Sequence, residues 1–384
     1  MEKYLFLYLK TGGGHMSSAK SVAKKIENDY QGKVEIVLAD GFENVHRFFS
    51  TIVVDGYSVM QSKYKWLYAI LYFFNMFPLF YMISVWETHL ITRRQIKKLI
   101  EKEKPDKIVS FHFFLVKPSI TAVKSLKLNT PVMTAVTDPF TAPPIWFSQR
   151  KHNHFLIFSQ RVADWCKRRN ITEKQFTVFP YILDEKFSKP FADQQVVDTK
   201  IKRGFEPNKR ILLLMGGGDG LPDGVKIAKL FLDLNLDIQM AMVCGKNKEQ
   251  YESAIKLKEQ YLDSNFTVLG FIDFAYEMMN ISDVIITKGG PATVLEILLC
   301  KKVPVVSSYI WGQEKGNAEY VEINKVGIFE PNISKIPNRV KNLLNDSVVY
   351  NQYRDNIEKL NLVIGTKQVA DFVYSYPKNS FHFV

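Results

Sequence analysis

Short apolar runs alternate with amphipathic segments along most of the chain, and turns rich in glycine or proline separate them. Apolar runs bounded by turn residues predict buried strands, and apolar residues spaced three or four apart predict helices. Strands that alternate with helices are typical of a doubly wound parallel sheet, so we expect an α/β fold. In the first half, strands are predicted over residues 4–9, 34–39, 107–111, 132–136 and 154–158, and helices over residues 18–29 and 92–102.

The second half repeats this plan, and each half has a glycine-rich turn after its first strand. Two such halves predict two facing Rossmann-like domains, with a site in the cleft between them, because ligands bind beyond the carboxyl ends of parallel strands. We expect domains at residues 1–184 and 185–360, and a C-terminal segment, 361–384, that packs back on the first domain. The predicted strands are 211–215, 238–243, 266–269, 284–287 and 303–307, and the predicted helices begin near 223, 248 and 291.

Composition agrees with a folded protein of two domains. The 384 residues are 46% hydrophobic and 23% charged, which excludes a disordered chain. The three cysteines, Cys166, Cys244 and Cys300, are far apart and match no metal-ligand or redox spacing. They therefore indicate reduced core thiols in a cytosolic protein.

The positive charge is concentrated in the first half. Residues 1–184 contain 26 basic and 15 acidic side chains, whereas the rest of the chain contains 25 and 24. A basic face can attract nucleic acid, an anionic lipid surface or an acidic substrate. No zinc-finger, ribonucleoprotein or basic-zipper pattern is present, so we expect no nucleic-acid partner.

Residues 66–86 form an uncharged, aromatic-rich segment of 21 residues. This length suits a membrane span, but Asn75 and Pro78 interrupt it, and a crossing would divide the predicted first sheet. Basic residues on both sides favour docking on an anionic membrane surface over a buried helix pair or a span. The candidate membrane residues are Trp66, Phe73, Phe74, Phe77, Arg93 and Arg94, with Lys63 nearby.

The first glycine turn, Gly12-Gly13-Gly14, ends the first predicted strand and leads into a helix. Glycines there permit close backbone approach to a ligand near a helix N-terminus, which favours negative charge. His15 follows at once, and its imidazole can either accept a proton from a hydroxyl nucleophile or cap the helix. The turn departs from the Gly-x-Gly-x-x-Gly pattern of dinucleotide sites, and Asp40 is a weak match for a ribose-binding acid.

Three segments of the second half can bind a phosphorylated ligand. The amides of Gly216-Gly217-Gly218 can cradle a diphosphate, or the glycines can serve a tight turn alone. The segment from Thr287 to Glu296 places two glycines before a helix start, with Thr293 and Glu296 on one helix face, which suits phosphate and ribose. Residues 309–317 carry amides and a carboxylate suited to sugar hydroxyls, although a solvated polar loop is the alternative.

Two of these motifs resemble those of a known family. Thr287–Glu296, together with Trp311-Gly-Gln-Glu-Lys-Gly-Asn317, resembles the donor-site signature of the monogalactosyldiacylglycerol synthase and diacylglycerol glucosyltransferase family, within the family 28 glycosyltransferases. Thr11-Gly-Gly-Gly-His15-x-x-Ser18-Ala19 resembles the first motif of the same family. The resemblance covers residues 4–330.

The resemblance implies a B-type glycosyltransferase fold and a metal-independent, inverting reaction with a UDP-sugar as co-substrate. From it we expect no metal and no cofactor. It implies that His15 is the base, that Glu296 holds the ribose, and that uracil lies near Phe271. On the acceptor side it implies Gly13, Gly14 and Asp138. On the donor side it implies Gly216, Gly217, Gly218, Thr287, Lys288, Gly289, Gly290, Pro291, Ala292 and Thr293, with Gln313, Glu314 and Asn317 on the sugar.

The chain also departs from the family pattern on the acceptor side. Pro143 and Pro144 stand where the family usually carries a histidine shortly before the tryptophan equivalent to Trp146. The interdomain Gly-x-Pro pattern is altered to Phe179-Pro180-Tyr181. We predict transfer of a hexose from a UDP-sugar to a membrane lipid, chiefly diacylglycerol, by a peripheral protein at the cytoplasmic face. The alternatives are a UDP-sugar 2-epimerase, a glycosyltransferase with a non-lipid acceptor, and a non-catalytic nucleotide-sugar-binding partner.

Overall fold

The computed structural model describes residues 1–10, 13–43 and 65–380. It divides into two units, each with a six-stranded parallel sheet, so the predicted α/β class with two Rossmann-like domains is confirmed. Thr11, Gly12 and Lys63, which belong to the sequence motifs, lie outside the described residues. Unit 1 comprises Met1–Asp184, Trp311–Gln313 and Ile364–Val384, and unit 2 comprises Glu185–Ile310 and Glu314–Val363.

The sheet of unit 1 has the strand order β2-β1-β3-β4-β5-β6. Its central strands are buried on both faces, as the continuous apolar runs predict for a parallel sheet. The last strand has only three residues and lies outside the predicted set. The strands are β1 (Glu2–Tyr8), β2 (Val34–Asp40), β3 (Lys107–Ser110), β4 (Val132–Ala135), β5 (His154–Ile157) and β6 (Phe176–Val178).

The helices between these strands begin earlier than predicted. The predicted starts at residues 18 and 92 are wrong: the first helix begins at Gly14 and the basic helix at Pro78. Proline fits the first helical turn, where its missing N–H costs no hydrogen bond. The helices are α1 (Gly14–Asp29), α2 (Lys65–Phe74), α3 (Pro78–Glu103), α4 (Val116–Ser125) and α5 (Gln160–Arg168).

The uncharged segment folds as α2 and the first part of α3, joined by residues 75–77. The predicted interruption is confirmed, because α2 ends at Phe74 and α3 begins at Pro78. Ser84 Oγ donates to Asn75 Oδ1 at 2.9 Å, which joins the connection to α3. Across residues 1–10, 13–43 and 65–380, no helix has both the length and the apolar character that crossing a membrane requires.

Unit 2 has the strand order β12-β11-β10-β7-β8-β9. Its strands are β7 (Ile211–Met215), β8 (Gln239–Val243), β9 (Phe266–Leu269), β10 (Val284–Lys288), β11 (Val303–Ser308) and β12 (Ile328–Phe329). Its helices are α6 (Asp193–Lys202), α7 (Gly224–Asp233), α8 (Lys248–Gln260), α9 (Ala275–Ile281), α10 (Pro291–Leu299), α11 (Lys315–Ile323), α12 (Ile336–Asn345) and α13 (Ser347–Lys359).

The last helix, α14 (Thr366–Ser375), packs against α1 within unit 1. The rings of Tyr30 and Tyr374 stack with centroids 3.7 Å apart, and Tyr30 Oη donates to Asp371 Oδ1 at 2.9 Å.

The ammonium group of Lys107, which is 1% exposed, donates to the carbonyls of Val373 and Tyr374. A cation there satisfies carbonyls that the end of a helix leaves without partners.

Candidate active site

Three loops that follow neighbouring strands of unit 1 bring polar side chains together. His15 follows β1, His112 follows β3, and Thr137 and Asp138 follow β4. Because these strands are parallel and adjacent, their carboxyl ends meet at one edge of the sheet. The rings of His15 and His112 lie with centroids 4.8 Å apart in an edge-on arrangement. This cluster is the candidate acceptor-side site of unit 1.

His15 is buried and neutral at physiological pH. It is the second residue of α1 and is 9% exposed. Burial lowers the pKa of the imidazole to about 4, although a hydrogen bond with the backbone of Phe111 offsets part of this effect. The ring is therefore held in the form that can accept a proton.

Thr137 contacts the Nδ1 side of the His15 ring. Its hydroxyl oxygen lies 2.8 Å from His15 Nδ1, within hydrogen-bond distance. For Nε2 to accept a proton, Nδ1 must carry the ring hydrogen and donate it to this oxygen. Tyr181 Oη donates to the Thr137 carbonyl at 3.0 Å and holds the loop in place. Thr137 and Tyr181 therefore position the candidate base.

His112 is a residue of this site that sequence reasoning missed. It is 4% exposed, and its Nδ1 accepts a hydrogen bond from the Phe114 amide at 3.3 Å. Burial, and then the charge that His15 can carry, lower the pKa of His112 well below its ordinary value. The sequence signal for it was its position directly after the predicted strand 107–111.

Asp138 lies at the same edge and is 6% exposed. Trp146 Nε1 donates to its Oδ2 at 2.7 Å, and Gln313 Nε2 donates to its Oδ1 at 3.2 Å. Pro144 begins the 3₁₀ turn Pro144–Phe147 that carries Trp146 to this position. Gln313, predicted to contact the sugar, thus belongs to unit 1 by its contacts, and its amide binds the carboxylate of Asp138.

The two described glycines of the first motif leave space beside His15. A methyl group at Gly13 or Gly14 would meet no described atom within 4 Å, and neither residue has a positive φ. Packing and backbone geometry therefore do not account for glycine at these positions. The open space agrees with the prediction that a ligand approaches the backbone here, and that contact stays a prediction.

In unit 2 the predicted donor residues follow neighbouring strands at the carboxyl edge of the sheet. Gly216, Gly217 and Gly218 follow β7, and a side chain at Gly216 would lie 2.1 Å from the Gly220 carbonyl oxygen. The amide of Lys246, which follows β8, donates to the Gly218 carbonyl at 2.7 Å. Lys246 Nζ lies 5.5 Å from the ring centroid of Phe271, which is 65% exposed beyond β9.

In the turn that joins β10 to α10, Lys288-Gly289-Gly290, both glycine amides have backbone partners. The Gly289 amide donates to the Ser308 carbonyl at 2.7 Å, and the Gly290 amide donates to the Lys288 carbonyl at 2.8 Å. These two amides are therefore engaged, whereas those of Ala292 and Thr293 lie in the first helical turn, where helix geometry provides no carbonyl partner. The expected helix-start donors to a phosphate are thus Ala292 and Thr293.

The remaining predicted donor residues differ in exposure. Thr287 is fully buried and Pro291 is the first residue of α10. Thr293 and Glu296 are half-buried, three residues apart on α10, and the ribose contact of Glu296 stays a prediction. Glu314 and Asn317 are only 6% and 2% exposed. Both side chains are therefore largely enclosed by the protein, and their contact with a sugar stays a prediction.

The described residues contain no cluster of three histidine, cysteine, aspartate or glutamate side chains that could hold a metal ion. Cys166, Cys244 and Cys300 are free and buried. Burial raises the pKa of each thiol, to about 11 for Cys244 and about 12 for the other two. These thiols are therefore protonated core residues.

Two family models match the chain. Residues 15–180 match the monogalactosyldiacylglycerol (MGDG) synthase model, and residues 212–363 match the glycosyltransferase family 28 C-terminal domain. The first match includes His15, His112 and Asp138. The second includes the glycine turn after β7 and the turn Lys288-Gly289-Gly290 before α10, which we call the donor turn.

Curated proteins are similar over most of the chain. A probable chloroplastic monogalactosyldiacylglycerol synthase of Nicotiana tabacum is 26% identical over 89% of this chain, which spans 64% of that protein's length. A processive diacylglycerol beta-glucosyltransferase of Bacillus cereus strain B4264 is 23% identical over 97% of this chain, which spans 93% of that protein's length.

Solved structures share the fold. MurG of Acinetobacter baumannii aligns with a TM-score of 0.62 and 14% identity, over 97% of this chain and 99% of that one. HepE of Anabaena in complex with UDP-glucose aligns with a TM-score of 0.59 and 12% identity, over 98% of this chain and 100% of that one. These similarities confirm the two-domain glycosyltransferase B-type architecture.

The neutral burial of His15 predicts a pH-dependent stability. Since burial lowers its folded pKa to about 4, from about 6.5 in the unfolded chain, only the unfolded chain binds a proton between these values. Stability is therefore fully present above pH 6.5 and is lost as the pH falls toward 4. Compared with His15→Gln, the wild-type chain should lose about 2–3 kcal/mol more unfolding free energy between pH 7 and pH 4.5. Urea unfolding at both pH values measures this difference. Equal losses of unfolding free energy in the wild type and His15→Gln would contradict the burial of His15 in its neutral form.

Proposed function

The chain belongs to the family of monogalactosyldiacylglycerol synthases and diacylglycerol glucosyltransferases, and from this premise we propose that it is an inverting glycosyltransferase. The proposed donor is a UDP-hexose and the proposed acceptor is the free hydroxyl of diacylglycerol in a membrane. One observation carries the proposal: the residues of both family motifs gather at the carboxyl edges of their sheets, His15 in unit 1 and the turn at Lys288 in unit 2.

The reaction is a single displacement at the anomeric carbon. The acceptor oxygen forms a bond to this carbon while the bond from the carbon to the diphosphate oxygen breaks, and UDP leaves with the electron pair. The hydroxyl proton passes to Nε2 of His15, which is neutral and whose Nδ1 is held by Thr137. Attack opposite the leaving group inverts the configuration.

The donor turn supplies the charge that the leaving diphosphate needs. Lys288 provides a cation, and the amides of Ala292 and Thr293 begin a helix whose N-terminus favours anions. We propose that these groups stabilise the departing UDP without a metal ion, so chelator should not reduce turnover. UDP-bound relatives of the same fold support the choice of nucleotide.

The first test is an assay of the full chain with radiolabelled UDP-glucose, UDP-galactose and UDP-N-acetylglucosamine, each with diacylglycerol in lipid vesicles. We expect a labelled glycolipid and free UDP with at least one donor. His15→Gln should reduce turnover about 100-fold or more, because it removes the proton acceptor. Product identification by mass spectrometry and turnover measurement check both expectations.

His154→Gln is the matched control. His154 is a half-buried histidine of unit 1 whose pKa is also lowered to about 4, but it begins β5 and so lies at the amino edge of the sheet. Its replacement should leave turnover near that of the wild type. Near-normal turnover of His15→Gln would reject the base role. Conversion of the UDP-sugar without any acceptor would instead identify an epimerase.

An exposed apolar surface supports a membrane acceptor. On α3, Val85, Thr88 and His89 face the core, whereas side chains of the opposite face are 38–67% exposed. This burial pattern contradicts the alternative of a buried helix pair. Arg93 and Arg94 are exposed one turn beyond these apolar side chains. We define the apolar stripe as Leu79, Met82, Ile83, Trp86 and Leu90, and Trp66, Phe73, Phe74 and Phe77 are also exposed.

Such a stripe costs free energy in water and gains it at a lipid interface. We propose that it enters the interfacial region of the cytoplasmic leaflet while Arg93 and Arg94 contact anionic headgroups. The chain would then reach an acceptor that stays in the bilayer. This peripheral arrangement requires no helix that crosses the membrane.

Charge in the apolar stripe should weaken membrane binding. The double variant Leu79→Glu/Trp86→Glu should bind vesicles of phosphatidylcholine and phosphatidylglycerol at least about tenfold more weakly. It replaces two apolar side chains that we expect to be buried in the lipid interface. Vesicle co-sedimentation measures the affinity. Arg93→Gln/Arg94→Gln should weaken binding only when the vesicles contain phosphatidylglycerol.

Ile323→Glu provides the control for surface charge. Ile323 is an apolar side chain of α11 that is 72% exposed and lies in unit 2, outside the stripe. Its replacement should leave vesicle binding unchanged. Equal affinities for wild type, the stripe variant and this control would refute the membrane role of the stripe.

A further inference from the structure

His112 is a hydrogen-bond donor at the candidate acceptor-side site. It precedes the 3₁₀ turn Phe113–Leu115, and its Nδ1 accepts a hydrogen bond from the Phe114 amide at 3.3 Å. A neutral imidazole carries one ring hydrogen, and because the lone pair of Nδ1 is engaged, that hydrogen lies on Nε2. His112 therefore presents an N–H group beside His15, the candidate proton acceptor.

The Nε2–H group of His112 is enclosed, yet the protein supplies no acceptor for it. The residue is 4% exposed. Within the part of the chain that the structure describes, its hydrogen bonds involve its backbone and Nδ1, and none involves Nε2. A buried donor without a partner is unfavourable, so such groups are normally satisfied. We therefore expect a ligand atom that can accept a hydrogen bond beside Nε2.

The surroundings of His112 favour an uncharged acceptor atom. The ring centroids of Phe113, Phe114 and Trp146 lie 4.3, 5.4 and 6.3 Å from that of His112. Apolar walls exclude water and strengthen a hydrogen bond made among them. Burial, and then the charge that His15 can carry, lower the pKa of His112 well below its ordinary value, so the ring is neutral. A neutral donor among aromatic rings suits the carbonyl of a lipid better than a phosphate.

The position of His112 relative to His15 narrows the choice of oxygen. The two rings lie edge-on with centroids 4.8 Å apart, and they follow β3 and β1, which are adjacent parallel strands. A hydroxyl at His15 and a second oxygen at His112 must then belong to neighbouring parts of one molecule. In diacylglycerol the free hydroxyl and the ester of the central carbon are attached to adjacent carbons. The carbonyl of this ester therefore meets the requirement.

We propose that His112 binds the acceptor by donating from Nε2 to the carbonyl oxygen of the ester next to the reacting hydroxyl. His112 is then a specificity-determining residue that selects ester-linked over ether-linked glycerolipids. An ether lacks this carbonyl and leaves the buried donor without a partner. The proposal rests on the diacylglycerol acceptor proposed above.

Two acceptors that differ only in the ester carbonyls test the proposal. Dioleoylglycerol has ester linkages and dioleylglycerol has ether linkages, and each is presented to the full chain in vesicles of phosphatidylcholine and phosphatidylglycerol with the three UDP-sugars. The wild type should have a kcat/KM about tenfold higher for the diester, the effect of one hydrogen bond. Equal values for the two acceptors would overturn the proposal and leave the proposed function intact. Glycolipid from neither acceptor would refute the proposed function itself.

Two replacements separate the Nε2 donor of His112 from its bond to the Phe114 amide. Asparagine can place its side-chain oxygen where Nδ1 accepts and is favoured before a helical turn, but it has no group at Nε2. Glutamine can place an N–H group near the position of Nε2. In His112→Asn, kcat/KM for the diester should fall about tenfold, and the value for the diether should stay within about threefold of the wild type. His112→Gln should keep the preference for the diester.

A purely structural role of His112 predicts a different result. Loss of packing would lower both kcat/KM values by the same factor and leave their ratio unchanged. Such parallel losses in His112→Asn would contradict the proposal. Because the ratio compares two acceptors on the same protein, it does not depend on the folded fraction of a variant.

His154→Asn is the matched control. His154 is also in unit 1, and its Nε2 lies 2.9 Å from Thr177 Oγ1, but it begins β5 at the amino edge of the sheet. The same chemical change there should leave the ratio of the two acceptors at its wild-type value. A loss of the preference in this control would show that the ratio does not report on His112.

Discussion

In a parallel sheet all strands run in one direction, so the loops that follow neighbouring strands must meet at the same edge. Unit 1 uses this constraint to bring together residues that are 122 positions apart in sequence, His15 beyond β1 and Thr137 beyond β4. Unit 2 uses it to bring the turn before α10 beside the loop that leads into α11. The chemistry of each site therefore depends on strand order before it depends on any single side chain.

Burial at these edges then sets the protonation state of the side chains. His15 and His112 are kept neutral because burial desolvates both imidazoles and so lowers their pKa values. Burial also raises the pKa of Glu314, and the charge of Lys288 offsets part of this increase. A neutral imidazole can accept a proton, so the same desolvation that raises the pKa of Glu314 suits His15 for chemistry.

The sequence patterns located the elements best where an apolar strand is bounded by polar turns. The strands Ile211–Met215 and Phe266–Leu269 have the predicted bounds. The starts of α1 and α3 were missed because glycine and proline usually interrupt helices, whereas here Gly14 and Pro78 begin them. His112 belongs to no motif, and the partner of Asn317 is the backbone carbonyl of Gly289, which a sequence pattern cannot represent.

The motif glycines have two different physical causes. Gly216 and Gly289 are required by the protein itself, because side chains there would meet the Gly220 carbonyl oxygen and Tyr309 Cβ. Gly13 and Gly14 meet no described atom within 4 Å and have ordinary backbone angles, so packing leaves them unexplained. Glycines that the fold requires shape a site from within, whereas glycines that it does not require leave room for a ligand. By this distinction, we expect a ligand to approach the backbone at Gly13 and Gly14 beside His15, and also at Gly218 of unit 2, which has open space and no positive φ.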